Sequence, residues 1–225
     1  MPNAHFIKSM FDDISPKYDL LNDLLSIGTH RLWKKKFVNK VLLTKCEKVL
    51  DCATGTGDIA FSLEKNKVKA IVGCDFSTQM IQIANQRKNR AHSNVTFIVA
   101  DVSNLPFKDN EFDSTTISFG IRNVEKLEKS LNELSRVSKN LFILEFGTPR
   151  NWVWKNIYFT TLKAYFPILS LLTKRSDAYD YLIRSSEKFP SGEQFCDLIK
   201  KNTQFIDVNY TPLFGGIAYI YEAKR

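Results

Sequence analysis

The chain has 225 residues, of which 44% are hydrophobic and 25% are charged, and its formal net charge is +8. This length and apolar content suffice for one domain with a sizeable core. The positive charge suits either a solvated basic face or attraction to anionic lipid headgroups, whereas nucleic acid is disfavoured because no recognisable nucleic-acid motif accompanies the lysines.

The first predicted element is a helical segment between Phe6 and Leu43, with a break allowed at Pro16. Its apolar residues recur three to seven positions apart, which is typical of a helix that packs along one face. Such a segment usually covers a sheet edge. Neither an apolar signal core nor an arginine-rich transit pattern opens the chain, and this favours a cytoplasmic protein.

The next stretch is an apolar run that stops at an acid and opens into a glycine-rich turn. From Val49 to Gly57 it reads Val-Leu-Asp-Cys-Ala-Thr-Gly-Thr-Gly, and a helix-like segment follows. This arrangement presents backbone N–H groups to a nucleotide-like ligand, and Gly55 and Gly57 would permit positive φ. The turn also matches the loose dinucleotide fingerprint, so an NAD site and a plain turn between packed elements both stay open.

Three further apolar runs end at an acid or a glycine, and they predict strands of a parallel sheet. These runs, each with the residue that follows it, are Ala70–Cys74 with Asp75, Val95–Ala100 with Asp101, and Phe112–Phe119 with Gly120. Open α/β sheets bind ligands at the edge where parallel strands end, and an acid twenty positions after Gly55 can accept both ribose hydroxyls. Each acid taken singly could instead cap a helix.

The last strands predict a different connection. A fifth strand runs from Asn140 to Phe146, and the strands Gln204–Tyr210 and Gly216–Tyr221 are joined by too few residues for a parallel crossover. They should form an antiparallel hairpin at the edge of an otherwise parallel α/β sheet with helices on both faces.

Cysteine and histidine usage predicts no metal site, because no C-x-x-C pair occurs and the three histidines are far apart in sequence. Cys52 and Cys74 fall at the ends of two predicted strands. We expect both to be small buried thiols in a reducing cytoplasm.

The motifs taken together resemble those of class I S-adenosylmethionine methyltransferases. A dehydrogenase need not carry the triplet Ala100-Asp101-Val102 followed by Leu-Pro-Phe. Two further stretches, from Phe11 to Asn22 and from Ser118 to Val124, resemble signatures of the quinone-biosynthesis C-methyltransferases. The similarity runs from about Phe6 to Lys224.

The resemblance implies a Rossmann-like class I methyltransferase sheet and S-adenosyl-L-methionine as cofactor. It also implies C-methylation of a polyprenylated quinol ring in menaquinone or ubiquinone biosynthesis, on demethylmenaquinol, on 2-methoxy-6-polyprenyl-benzoquinol, or on both. An NAD-dependent oxidoreductase and a non-catalytic scaffold of a quinone-biosynthesis complex stay as alternatives.

The resemblance also implies the site residues. Those expected to bind the cofactor are Asp51, Thr54, Gly55, Gly57, Asp75, Asp101, Val102 and Ser118. Because a guanidinium stays protonated, we favour Arg122 as electrostatic stabiliser of a developing phenolate, with a plain salt bridge as the alternative. Asn123 would orient the substrate hydroxyl, and Tyr18 or a water would take the proton, unless Tyr18 only packs in the core.

The domain prediction is a single methyltransferase domain, 1–225, with helical covers at 1–45 and 150–185. The second cover contains Trp152–Thr173, which is too aromatic for a solvated loop and too interrupted for a transmembrane span. It would either accept the prenyl tail, with peripheral contact at the inner face of the membrane, or simply add core. A homodimer is kept as a further option.

Overall fold

The computed structural model describes residues 29–161, 181 and 184–225. Tyr18 and much of both predicted covers lie outside these residues. Within the described ranges, no helix combines the length and the apolar character needed to cross a membrane.

The core of the fold is a seven-stranded sheet with the order β3-β2-β1-β4-β5-β7-β6. Its strands are β1 (Lys48–Cys52), β2 (Ala70–Asp75), β3 (Thr96–Val99), β4 (Phe112–Ser118), β5 (Ser138–Phe146), β6 (Asp207–Leu213) and β7 (Ala218–Lys224). Strands β1 to β5 are parallel, and β7 runs antiparallel to both β5 and β6. This confirms the predicted Rossmann-like sheet with an antiparallel C-terminal hairpin.

Helices cover both faces of the sheet, as predicted. They are α1 (Thr29–Leu42), α2 (Asp58–Lys65), α3 (Thr78–Ala91), α4 (Leu127–Val137) and α5 (Glu193–Asn202), with 3-10 turns at Ile121–Asn123 and Phe214–Gly216 and further helical stretches at 152–161 and 184–188. Residues of α1, α2 and α3 belong to one buried apolar cluster, and residues of α4 and α5 belong to a second. The two clusters lie on opposite sides of the sheet, because neighbouring residues of the same strands belong alternately to one and the other.

The hairpin begins later than predicted. Thr211 and Pro212 belong to β6 rather than to the connection, since they pair with Ile220 and Tyr219 of β7. Proline is tolerated there because β6 is the outermost strand and its free edge needs no N–H donor. The connection is instead the turn at Phe214–Gly216.

Two of the chemically reactive side chains are buried in the sheet. Cys52 and Cys74 are opposite each other on β1 and β2, are fully buried, and have their sulfur atoms 3.6 Å apart. Both are free thiols, as the sequence predicts.

The topology also fixes where a ligand can bind. Chain connections run from β1 outward through β2 and β3 on one side, and through β4 and β5 on the other. The order therefore reverses between β1 and β4. In open α/β sheets such a switch point leaves a crevice at the carboxyl ends of the strands.

Candidate active site

A cavity opens at this switch point, beyond the ends of β1, β2 and β4. The predicted site residues that line it are Gly55, Asp75, Asp101, Val102, Ser118 and Asn123. A smaller pocket lies behind the glycine-rich turn and is bordered by Asp51 and Thr54. The two pockets share Gly55 and Ser118, so they form adjoining parts of one site.

The chain segments that follow β1 and β4 lie very close to each other. Ala53 and Phe119 both have positive φ, 47° and 55°, which is uncommon for residues with side chains. A Cβ added at Gly120 would lie 2.5 Å from the Cβ of Ala53. Strained backbone of this kind persists only where the surroundings over-determine it, and it clusters at ligand sites.

The two glycines of the turn have different roles. Gly55 has φ +56° and nothing within 4 Å of a Cβ built on it, so it leaves open space beside the cavity. Gly57 has φ +92°, but a Cβ there would lie 2.8 Å from ring atoms of Phe61 and Phe97. Gly57 lines neither pocket. The structure shows close packing at Gly57 between α2 and β3, and its contact with the cofactor stays a prediction.

Asp75 occupies the position expected of a ribose-binding acid. Its Oδ2 accepts a hydrogen bond from the Gly55 amide, and its Oδ1 accepts one from the Ser77 amide, both at 2.9 Å. Ser77 is the N-cap of α3, because its hydroxyl accepts from the Met80 amide at 3.1 Å. Asp75 is therefore not the helix cap, and its carboxylate borders the cavity at the end of β2.

Asp101 borders the cavity on the side of β3. Its carboxylate accepts from the Ser103 amide at 2.8 Å and from the Ser103 hydroxyl at 2.9 Å. Asp101 is exposed, whereas the neighbouring Val102 is buried. The pair thus presents a fixed carboxylate next to an apolar surface, a combination that suits the polar edge and the flat face of a nucleobase.

Asp51 is buried behind the glycine-rich turn. Its carboxylate accepts hydrogen bonds from the hydroxyls of Thr54 at 2.6 Å and Thr116 at 2.7 Å. Burial raises the pKa of this carboxyl to about 6, against the hydrogen bonds, which favour the charged form. Thr54 therefore acts through Asp51, which supplies negative charge at the inner end of the site.

Ser118 joins the two pockets. Its hydroxyl oxygen is buried and has no hydrogen-bond partner within the described part of the chain. Buried polar atoms are normally paired, so an orphan that borders a cavity indicates a ligand group. With the acids at both ends and apolar residues such as Met80 between them, the site fits a nucleoside that carries a cationic tail, as S-adenosylmethionine does.

Arg122 is held in place by several buried contacts. Its guanidinium forms a buried ion pair with Glu145, the two side chains being 4% and 0% exposed, and it lies over the ring of Phe146. It also donates to the carbonyl of Phe119 at 3.5 Å and to the hydroxyl of Ser185 at 3.3 Å. These contacts match the salt-bridge alternative, and Arg122 does not line the described cavity.

Asn123 does reach the cavity, and the structure adds a neighbour that sequence reasoning missed. The hydroxyl of Tyr181 donates to Asn123 Oδ1 at 2.9 Å. Tyr181 lies in the second predicted cover, where no motif marked it. Glu145 was also missed, although it is the next-to-last residue of the fifth predicted strand.

Comparison with known sequences shows which protein family the chain resembles. The model of the ubiE/COQ5 methyltransferase family matches residues 2–225. A ubiquinone/menaquinone biosynthesis C-methyltransferase UbiE of Bdellovibrio bacteriovorus is 39% identical over 98% of this chain and 96% of that protein. A demethylmenaquinone methyltransferase of Paenarthrobacter aurescens is 37% identical over 97% of this chain and 86% of that protein.

The fold also resembles those of solved methyltransferase structures. A methyltransferase of Thermotoga maritima, described as dependent on S-adenosylmethionine and as a possible histamine N-methyltransferase, superposes with a TM-score of 0.64 at 19% identity, over 96% of this chain and 98% of the other. Identity at that level supports the fold alone. From the full-length family match and the relatives near 40% identity, the chain belongs to the ubiE/COQ5 methyltransferase family.

Proposed function

We propose that this protein transfers the methyl group of S-adenosylmethionine to a ring carbon of a polyprenylated quinol, either demethylmenaquinol or 2-methoxy-6-polyprenyl-benzoquinol. Family membership makes the protein an S-adenosylmethionine-dependent C-methyltransferase of quinone biosynthesis. The observation that carries the site assignment is Asp75, which is held at the strand end by Gly55 and Ser77 and faces the cavity.

The bound cofactor supplies a methyl group on a sulfonium, which is already a strong electrophile. The protein must therefore mainly align the two reactants, and such alignment can contribute about 7–11 kcal/mol. In this proposal Asp75 binds the ribose hydroxyls and Asp101 the polar edge of the base. Asp51 and Ser118 then hold the amino-acid end.

The substrate side of the proposal rests on Asn123. Its amide lines the cavity, and Tyr181 fixes its orientation by donating to Oδ1. The Nδ2 group can then donate to a quinol oxygen. Arg122 would support the turn at Ile121–Asn123 as a positioning residue, through its contacts with Phe119 and Glu145. Tyr18 stays a prediction for the proton acceptor.

We also propose that the protein meets the membrane surface, as a cytoplasmic protein with peripheral contact at the inner face. Four apolar side chains near the carboxyl edge of the sheet are strongly exposed, and we call them the apolar rim: Trp152 (72%), Val153 (45%), Ile157 (51%) and Phe214 (61%). The ring of Trp154 packs edge-on against that of Phe214, with the centroids 5.7 Å apart, and so connects residues 152–157 with Phe214. An exposed cluster of aromatic and aliphatic side chains suits the lipid headgroup region.

The experiment is methyl transfer from labelled S-adenosylmethionine to chemically reduced demethylmenaquinol and benzoquinol analogues by the purified protein. We expect label on a ring carbon of at least one product. Binding of S-adenosylhomocysteine without any transfer would indicate the scaffold. Nicotinamide binding that S-adenosylhomocysteine does not displace would indicate the oxidoreductase.

A further inference from the structure

The small pocket behind the glycine-rich turn has one acidic and one basic wall. Asp51 borders it on one side, and Lys34 of α1 reaches it from the other. The Lys34 side chain is 17% exposed, so its ammonium is largely withdrawn from water. The ammonium also lies close enough to Asp51 to favour the charged form of that carboxyl.

Lys34 belongs to a group of two cations and one carboxylate, in which positive charge is in excess. Asp58 pairs with Lys34 Nζ through Oδ2 and with Arg87 through Oδ1, each at 2.8 Å. Two cations therefore share one carboxylate. Burial acts to raise the pKa of Asp58, but the charges and hydrogen bonds of the two cations outweigh it and lower this pKa to about 2. The three side chains together have a net charge of one positive unit.

The two cations are not equivalent. The Arg87 NH1 group also donates to the carbonyl and the hydroxyl of Thr56, at 2.9 and 2.7 Å, and so is committed to the glycine-rich turn. Lys34 donates to Asp58, and an ammonium has three N–H donors. Of these two cations, Lys34 is the one that borders the small pocket, which Gly55 and Ser118 also line.

We propose that Lys34 binds the carboxylate at the amino-acid end of S-adenosylmethionine, opposite Asp51. This inference rests on the proposed function and adds a residue to its cofactor site. The amino-acid end is a zwitterion, and a pocket with one anionic and one cationic wall matches it in charge and in polarity. Because Lys34 is on α1, cofactor binding also holds that helix against the glycine-rich turn.

The test compares two ligands that differ in the carboxylate alone. S-adenosylhomocysteine and its decarboxylated analogue are titrated by calorimetry into the full-length wild-type protein and into Lys34→Met, which keeps most of the aliphatic stem. We expect Lys34→Met to weaken S-adenosylhomocysteine binding about tenfold or more, and to leave binding of the decarboxylated analogue nearly unchanged. Lys36→Met, at an exposed position of the same helix, is the matched control and should change neither.

An equal loss for both ligands, or no loss for either, would overturn the proposal, because Lys34 would then act only through the shape of the turn. Should Lys34→Met fail to fold, Asp58→Asn provides the second measurement. It leaves the Lys34 charge in place, so it should preserve or increase the preference for the carboxylate-bearing ligand. A reduced preference would again contradict the proposal. A wild-type protein that binds neither ligand would instead refute the proposed function itself.

Discussion

At the scale of single residues, the carboxylate of Asp75 connects two elements that border the candidate cofactor site. It joins the turn after β1 to the start of α3 through the amides of Gly55 and Ser77. The same carboxylate faces the cavity. Loss of its charge should therefore affect both the ligand and the turn.

Asp75→Ala should lower the affinity for S-adenosylhomocysteine at least about tenfold, since hydrogen bonds to charged groups contribute about 1.5–3 kcal/mol each. Calorimetry measures this, with circular dichroism as the check on folding. Asp113→Ala is the matched control, because Asp113 is at the opposite end of β4 and accepts from the amides of Glu47 and Lys48. Unchanged affinity in Asp75→Ala would remove this residue from the site.

Asp51 predicts a pH dependence of stability. Burial raises the pKa of its carboxyl from 3.8 to about 6, so the folded protein holds this proton more tightly than the unfolded chain does. The free energy of unfolding should therefore decrease as pH rises from about 4 to above 6, by roughly 3 kcal/mol from this group. Asp51→Asn lacks that titration.

Urea denaturation of both proteins at about pH 5 and about pH 7.5 isolates the effect. The variant should gain more than about 1 kcal/mol relative to the wild type over this interval, while its affinity for S-adenosylhomocysteine falls. A constant difference between the two proteins would mean that Asp51 has an ordinary pKa.

The ion pair between Arg122 and Glu145 predicts a change in stability as well as in activity. Arg122→Ala would leave a fully buried carboxylate without its partner, at a cost of about 3–5 kcal/mol in the free energy of unfolding. Thermal unfolding measures it. Replacing both residues with methionine should recover most of the stability. If that double variant folds well but has lost turnover, the guanidinium has a part in the chemistry; if turnover returns, the pair is structural.

At the scale of elements, a hydrogen bond from Tyr181 to Asn123 connects the described part of the second cover with the cavity. The phenol is a donor and not a base here, because burial raises the pKa of Tyr181 to about 12. In the proposed function, its contribution is to fix which end of the Asn123 amide faces the cavity.

Tyr181→Phe should reduce kcat several-fold while leaving affinity for S-adenosylhomocysteine within a few-fold of the wild type. Tyr158→Phe is the control, since burial also raises the pKa of Tyr158 to about 12 and its hydroxyl does not bond to Asn123. Equal losses in the two variants would mean that the cover, and not this hydrogen bond, is what matters.

At the scale of the whole molecule, the cavity and the apolar rim are at the same edge of the sheet. Residue 152 follows the end of β5, and Phe214 follows the end of β6, a strand that runs parallel to β5 through their shared neighbour β7. A substrate with a long prenyl tail could then stay in the bilayer while its ring enters the cavity.

Trp152→Ser combined with Ile157→Ser should weaken sedimentation with vesicles that contain anionic lipid, because two exposed apolar anchors are lost. Leu43→Ser combined with Ile206→Ser is the matched control. Both of its sites are about 80% exposed, at 80% and 81%, but they are at the opposite edge of the sheet. Equal vesicle binding by the wild type and the rim variant would exclude this face as the contact surface.

One side chain of the aromatic stretch Trp152–Thr173 is buried. Phe159 is only 5% exposed and packs edge-on against Tyr158, with the ring centroids 5.2 Å apart. It therefore adds to the core. Most of the remaining aromatic stretch, up to Thr173, lies outside the described residues.

The sequence by itself determined the sheet, its hairpin and the end of the sheet at which the cavity opens. Strand-ending acids such as Asp75 and Asp101 mark that edge because parallel strands present their carboxyl ends together. The turn at Gly55 follows from the same local rule, since positive φ favours glycine. These features depend on short-range pattern and chain direction, which a single sequence records.

Only the tertiary structure decided which side chains meet across the sheet. The partner of Arg122 is 23 residues away on β5, Lys34 reaches the glycine-rich turn from α1, and Gly57 packs between Phe61 and Phe97. Burial then decides whether a charge near a strand end borders the cavity, as Asp75 does, or is held in an ion pair, as Glu145 is. The reason is physical: desolvation and pairing depend on three-dimensional neighbours, and residue type and spacing do not encode them.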